Sequence, residues 1–150
     1  MNVQLIHYPN EILRSKSRPV NIKNQDFIRK ISKKLIETCN KYQGIGLSGI
    51  QIGIPLRIFY AVDEIFINPN ILYKYNLYYW EEGCLSLPNC MVKVPRPETI
   101  IIEYYSIDGK KIEKEFSGVK ARVILHEFDH LEGRLIIDYD TSLSGQRSSV

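Results

Sequence analysis

From Gln25 to Tyr42 the apolar residues Phe27, Ile28, Ile31, Leu35, Ile36 and Cys39 recur at three- and four-residue spacing with lysines between them. That period predicts an amphipathic helix with one face turned to a core. A second helical pattern starts at Ser117 or Gly118, carries Val119, Val123, Ile124 and Leu131, and stops before Gly133, a residue type common just past a helix end. It is short, and apolar enough to be central.

Between the helices the pattern shortens toward strands. Arg57 to Val62 reads as a buried strand, and Ile65–Ile67, Ile71–Tyr73 and Leu77–Trp80 as short ones interrupted by Asn and Pro. Thr99 to Ile107 and Lys111 to Phe116 flank Asp108-Gly109, a tight-hairpin signature, and Leu135 to Ile137 reads as a last strand. The first 24 residues, with Pro9 and Pro19, predict an irregular extended lead-in, and Asp140 to Val150 a polar, frayed end. No repeat or linker divides the chain. The expectation is one domain over residues 1–150, of α+β class, with antiparallel strands packed around the second helix.

Composition narrows the function classes. Hydrophobic residues at 44% and charged ones at 25% are those of a folded globular chain. A net charge of +3, dispersed along the sequence, argues against a nucleic-acid site. Tyr73, Tyr75, Tyr78 and Tyr79 suit ordinary β-rich segments better than a base-stacking platform. No apolar run reaches the ~18–20 residues of a membrane span, and no signal-peptide pattern opens the chain, so a cytoplasmic or organelle-internal protein is expected. Three cysteines, Cys39, Cys84 and Cys90, do not make a disulfide framework and leave thiol or metal chemistry open.

The strongest local signal is His126-Glu127-Phe128-Asp129-His130. Histidines four apart on a helix share a face, so both imidazoles can reach one metal ion. Glu127 is rotated by roughly 100° from His126 and can flank the metal without ligating it. Two histidines on a buried helix without a ligand would be costly to desolvate, whereas the isolated His7 invites no such reading. A catalytic site needs a third ligand and an open position. Downstream, the position that would carry a further histidine is Ile136, and nothing acidic follows Asp140, so the ligand must come from upstream. Cys84, within Glu81-Glu82-Gly83-Cys84-Leu85-Ser86, is the favoured thiolate; Cys90 is the weaker candidate. A metallopeptidase would need the missing downstream ligand. A closed, non-catalytic metal site would need Cys90 or Asp129, and Asp129 is read instead as a salt-bridging group behind the ligands.

Gly44-Ile45-Gly46-Leu47-Ser48-Gly49-Ile50-Gln51-Ile52-Gly53, Glu82-Gly83-Cys84-Leu85-Ser86 and His126-Glu127-Phe128-Asp129-His130 resemble, in order, the three motifs of peptide deformylases. The resemblance runs from the Pro9 lead-in to about Tyr139. It implies the deformylase fold and one divalent metal held by Cys84, His126 and His130, ferrous iron first, with zinc, nickel or cobalt as alternatives. It implies Glu127 as the general base, and the Leu85 backbone N–H with the Gln51 amide as oxyanion donors. Ile45, Gly46, Glu82 and Gly83 are marked as substrate-binding, with Gly44 and Gly46 letting a peptide pair like an added strand. Val119, Val123 and the segment near Trp80 are the candidates for an apolar pocket.

The implied activity is removal of the N-formyl group from N-formylmethionyl nascent peptides, with release of formate, by a monomer without nucleic-acid or membrane partners. Three departures are visible, one of them a chain that is short between Val62 and Ile67. Ser48-Gly49 stands where two alanines are common, which predicts a looser loop. The long C-terminal helix of cellular members has no counterpart, which suggests a short form, phage-encoded or truncated, and puts ribosome docking in doubt. The bacterial or phage-infected host cytoplasm is the expected location.

Overall fold

A computed structural model describes residues 3–140. The first helix is α1, Gln25–Lys41, opened by Asn24, whose side chain accepts from the Phe27 N–H, and it buries Ile28, Ile31, Leu35 and Cys39 as its periodicity predicts. Five strands follow in a meander: β1 Gly46–Ser48, β2 Ile58–Ala61, β3 Glu64–Cys84, β4 Leu87–Tyr105 and β5 Lys111–Ser117. Each pairs antiparallel with its neighbour, in the order β1-β2-β3-β4-β5. The second helix, α2, spans Gly118–Leu131, and Gly133 beyond it has φ +75°.

The helices cover opposite faces. In β2 the alternation of a strand sends Phe59 and Ala61 toward α2 and Ile58 and Tyr60 toward α1, so a strand covered on both sides reads as a continuous apolar run. Phe59, Phe66, Tyr104 and Phe116 pack with Ala121, Ile124, Leu125 and Leu131, making α2 the central helix.

Four expectations need correction. The short strands at 65–67, 71–73 and 77–80 are one strand, β3, because register shifts at Ile67/Asn70 and Ile71/Tyr73 absorb the interruptions without ending the pairing. The expected strand Thr99–Ile107 is, up to Tyr105, only the later part of β4, and Asp108-Gly109 lies in a loop closed by the Ser106 N–H on the Lys110 carbonyl rather than in a two-residue turn. The predicted strand at Leu135–Ile137 is a 3-10 helix, Ile136–Tyr139, because Asp138 caps it by accepting from the Leu135 N–H and is held by Arg14 at 2.7 Å. The lead-in contains a 3-10 helix, Glu11–Arg14, that buries Leu13. The polar end from 141 onward lies outside the described residues.

Candidate metal centre

His126 and His130 stand one turn apart on α2 with ring centroids 5.2 Å apart. Cys84 ends β3 and pairs with Leu87 at the start of β4, so the tight β3–β4 turn delivers its thiol to the helix. Its Sγ is 3.4 Å from His130 Nε2, and one ligand atom from each of Cys84, His126 and His130 lies within 4.8 Å of the others. Among the described residues Cys90 and His7 do not join this group. Asp129 is turned away from it, onto Arg96 at 2.9 Å and the Tyr139 hydroxyl at 2.7 Å.

The electrostatics suit a cation. Burial works against a charged His126, yet hydrogen bonds with Cys84 and Glu82 hold its imidazole well above the usual range, a sign of negative potential where a metal would sit. Burial, with the positive neighbours His126 and Arg96, keeps His130 well below it and so neutral, the form that ligates. Glu127 is buried beside them; burial pushes its carboxyl up to about 7 against the pull of His126 and Arg96. Its Oε1 has no hydrogen-bond partner in the protein, and an orphaned buried carboxylate oxygen suits a site that takes a metal and its water. A soft thiolate and two imidazoles are donors for iron, zinc, cobalt or nickel.

Gln51 is held from behind. Its Oε1 accepts from the Ser48 N–H at 3.0 Å and faces Ser48 Oγ at 3.1 Å, which fixes the amide so that Nε2 reaches Ser86 Oγ at 3.0 Å and stands 3.7 Å from Cys84 Sγ. Ser48-Gly49 lies in a closely packed stretch of the loop. Ser48 orients Gln51, and a Cβ on Gly49 would lie 2.7 Å from the Ile54 carbonyl oxygen. At Gly46 a Cβ would lie 2.7 Å from Glu127 Oε2, so this glycine makes room for the buried carboxylate.

Cys84, His126, Glu127, Gln51 and Gly46 line a cavity of about 540 Å³ together with Leu85, Gly83 and Val123. Its rim carries apolar side chains left in the open: Ile45 (70% exposed), Val119 (70%), Trp80 (64%) and Met91 (62%).

Glu82, marked in the sequence as substrate-binding, has a carboxylate committed elsewhere. Arg96 binds it through Nε at 2.6 Å and Nη2 at 2.9 Å, Arg122 Nη1 donates to it at 2.7 Å, and its Oε1 is 2.9 Å from His126 Nδ1. His126 and Arg96 hold its carboxyl at about 2 although burial pushes the other way. Its side chain holds a candidate ligand, and Glu82 is at the same time among the residues that line the cavity. Arg96 and Arg122 were not singled out in the sequence, and neither Ser48 nor Ser86 was given a role at the site. The two arginines leave a faint signal, charged residues in register with the buried Val92 and Val94 on β4 and on the buried side of α2.

Residues 3–146 match the family described as Polypeptide deformylase. A peptide deformylase of Borreliella burgdorferi is 37% identical over 147 residues, covering 91% of this chain and 87% of the relative. A crystal structure of peptide deformylase from Thermotoga maritima superposes with a TM-score of 0.88 at 36% identity, over 94% of this chain and 99% of that one. A probable peptide deformylase from Synechococcus phage S-SSM7 does so with a TM-score of 0.87 at 30% identity, over 92% and 99%.

Proposed function

The chain belongs to the peptide deformylase family, and on that premise we propose that Cys84, His126 and His130 hold its single divalent metal while Glu127, Gln51 and the Leu85 N–H carry the reaction. The enzyme is a metal-dependent hydrolase that removes the N-formyl group of formylmethionyl peptides. Ferrous iron is the proposed metal in the cell, with zinc, nickel or cobalt as substitutes.

When bound, the metal supplies Lewis acidity, acidifying water and polarising the formyl carbonyl. The chain's own groups do the rest. Glu127, raised toward neutrality, takes a proton from the attacking water and returns it to the departing amine. The Gln51 amide, fixed by Ser48, and the Leu85 N–H donate to the oxygen that gains negative charge. β1 is an edge strand, so the backbone around Ile45 and Gly46 can pair with an extended peptide, with Gly83 across the cavity. Val119, Val123 and Trp80 receive the methionine side chain, and a narrow site selects formyl over larger acyl groups.

The observation that carries this reading is the convergence of Cys84 Sγ with both imidazoles beside the unpartnered Glu127 Oε1. The continuous sheet against α2 supports one catalytic domain, and no described helix is long and apolar enough to cross a membrane. A monomer acting on nascent chains in the cytoplasm completes the proposal. The test is formate release from formyl-Met peptides with metal quantification, on wild type, Cys84→Ser and Cys90→Ser. Only Cys84→Ser should lose metal and activity; cleavage inside unblocked peptides without formate would overturn the reading.

A further inference from the structure

Tyr139 ends a chain of contacts that begins at a proposed metal ligand. It sits in the 3-10 helix Ile136–Tyr139, outside the residues that line the cavity. Its hydroxyl donates to Asp129 Oδ2 at 2.7 Å, and the same oxygen accepts from Arg96 Nη1 at 2.9 Å. The Arg96 guanidinium also lies over the Tyr139 ring, 5.4 Å from its centroid. From Arg96 the path continues through Nε and Nη2 to the two oxygens of Glu82, and from Glu82 Oε1 to His126 Nδ1 at 2.9 Å.

Asp129 lies between His126 and His130 on one stretch of α2, so this stretch is tied to β3 and β4 at two points, His126 to Glu82 and Asp129 to Arg96. The guanidinium is a rigid plane whose fork on Glu82 and bond to Asp129 cannot move independently. Tyr139 grips the second point twice, through its hydroxyl and through its ring. Residues behind metal ligands orient them, and their loss weakens metal binding by roughly 10–100-fold.

We propose that Tyr139 is a positioning residue of the metal centre: by bonding Asp129 and covering Arg96 it fixes the helical turn that carries both histidines opposite Cys84. It thereby governs metal retention and ligand geometry, not substrate affinity. This rests on the ligand set proposed above.

The test uses the full chain loaded with Co²⁺. Tyr139→Phe keeps the ring over Arg96 and deletes the donor, Tyr139→Ala deletes both, and Cys84→Ser is the control for the ligand set. Co²⁺ release to a chelator, the thiolate-to-cobalt and d–d absorption bands, and kcat and KM for formate release are measured. Tyr139→Phe should release Co²⁺ about 10-fold faster, at the lower end for a residue behind the ligands. Its d–d bands should shift and its kcat fall at unchanged KM, and Tyr139→Ala should go further on each count. Wild-type release and spectra in both Tyr139 variants, with only the melting temperature lowered, would overturn the positioning role alone. A Cys84→Ser protein that keeps the wild-type cobalt spectrum would overturn the ligand set, and this proposal with it.

Discussion

Glu82 Oε1 lies 2.9 Å from Nδ1 of His126, and the same carboxylate pairs with the buried Arg96 and Arg122. One acidic side chain thus orients an imidazole, leaving Nε2 for a metal, and together with Asp129 balances two buried guanidiniums. Removing one partner of a buried charge cluster costs about 3–5 kcal/mol, because the remaining charges stay desolvated. Glu82→Gln should lose stability on that scale in urea denaturation and bind metal more weakly. Wild-type stability would mean that the cluster is not buried as described.

Gly46→Ala tests the space beside Glu127. The added Cβ would meet Oε2 at 2.7 Å, and the carboxylate must move. Misplacing a reacting group by about 1 Å costs roughly 10²-fold in rate. Turnover should fall on that order while metal stoichiometry stays at the wild-type value, since no proposed ligand is touched.

Gln51→Ala removes an oxyanion donor. Loss of one such donor typically costs ~10²–10³ in kcat. The expected result is that loss with metal content intact; full activity would remove Gln51 from the mechanism.

The three thiols should separate in alkylation. Burial, aided by the charge of Glu127, pushes the Cys39 thiol up to about 11, and it should resist iodoacetamide at pH 8 until the chain unfolds. Cys84 should be labelled only after the metal is removed, because coordination occupies its sulfur. Cys90 should react equally in both states. Site-resolved mass spectrometry reads all three.

Tyr139 gives a stability signature at alkaline pH. Burial, then the charge and hydrogen bond of Asp129, push its hydroxyl up to about 12, against Arg96 and Arg134. A tyrosine's ordinary pKa is about 10. Since the folded value is raised, the contribution is complete below pH 10 and disappears as pH rises through 12. The stability gap between wild type and Tyr139→Phe should be constant to about pH 10 and close above it in denaturation curves. A gap that persists unchanged at pH 12 would contradict the bond to Asp129.

Local pattern carried much of this far. The 3.6 period marked α1 and α2, and the four-residue spacing of His126 and His130 brought both imidazoles to one face before any fold was known. Interruption at Asn68, Pro69 and Asn70 misled because a strand can absorb extra residues as bulges, which hydropathy alone does not register. The apolar run Leu135–Ile137 misled for a different reason: three apolar residues suit a strand or a turn of 3-10 helix, and the choice fell to Asp138 capping the turn and pairing with Arg14.

The sequence by itself determined the two helices, the chemistry of the histidine pair and the need for an upstream ligand, because these depend on neighbours within a few residues. Only the tertiary structure brought the Cys84 thiol, already favoured over Cys90, to the imidazoles, and decided that Glu82 faces His126 and two arginines and that Ser48 aims Gln51 at Cys84 and Ser86. Those choices depend on the register of β3 against β4 and on how α2 lies across the sheet. Such distances are set by packing between distant segments, and residue spacing along one chain does not encode them directly.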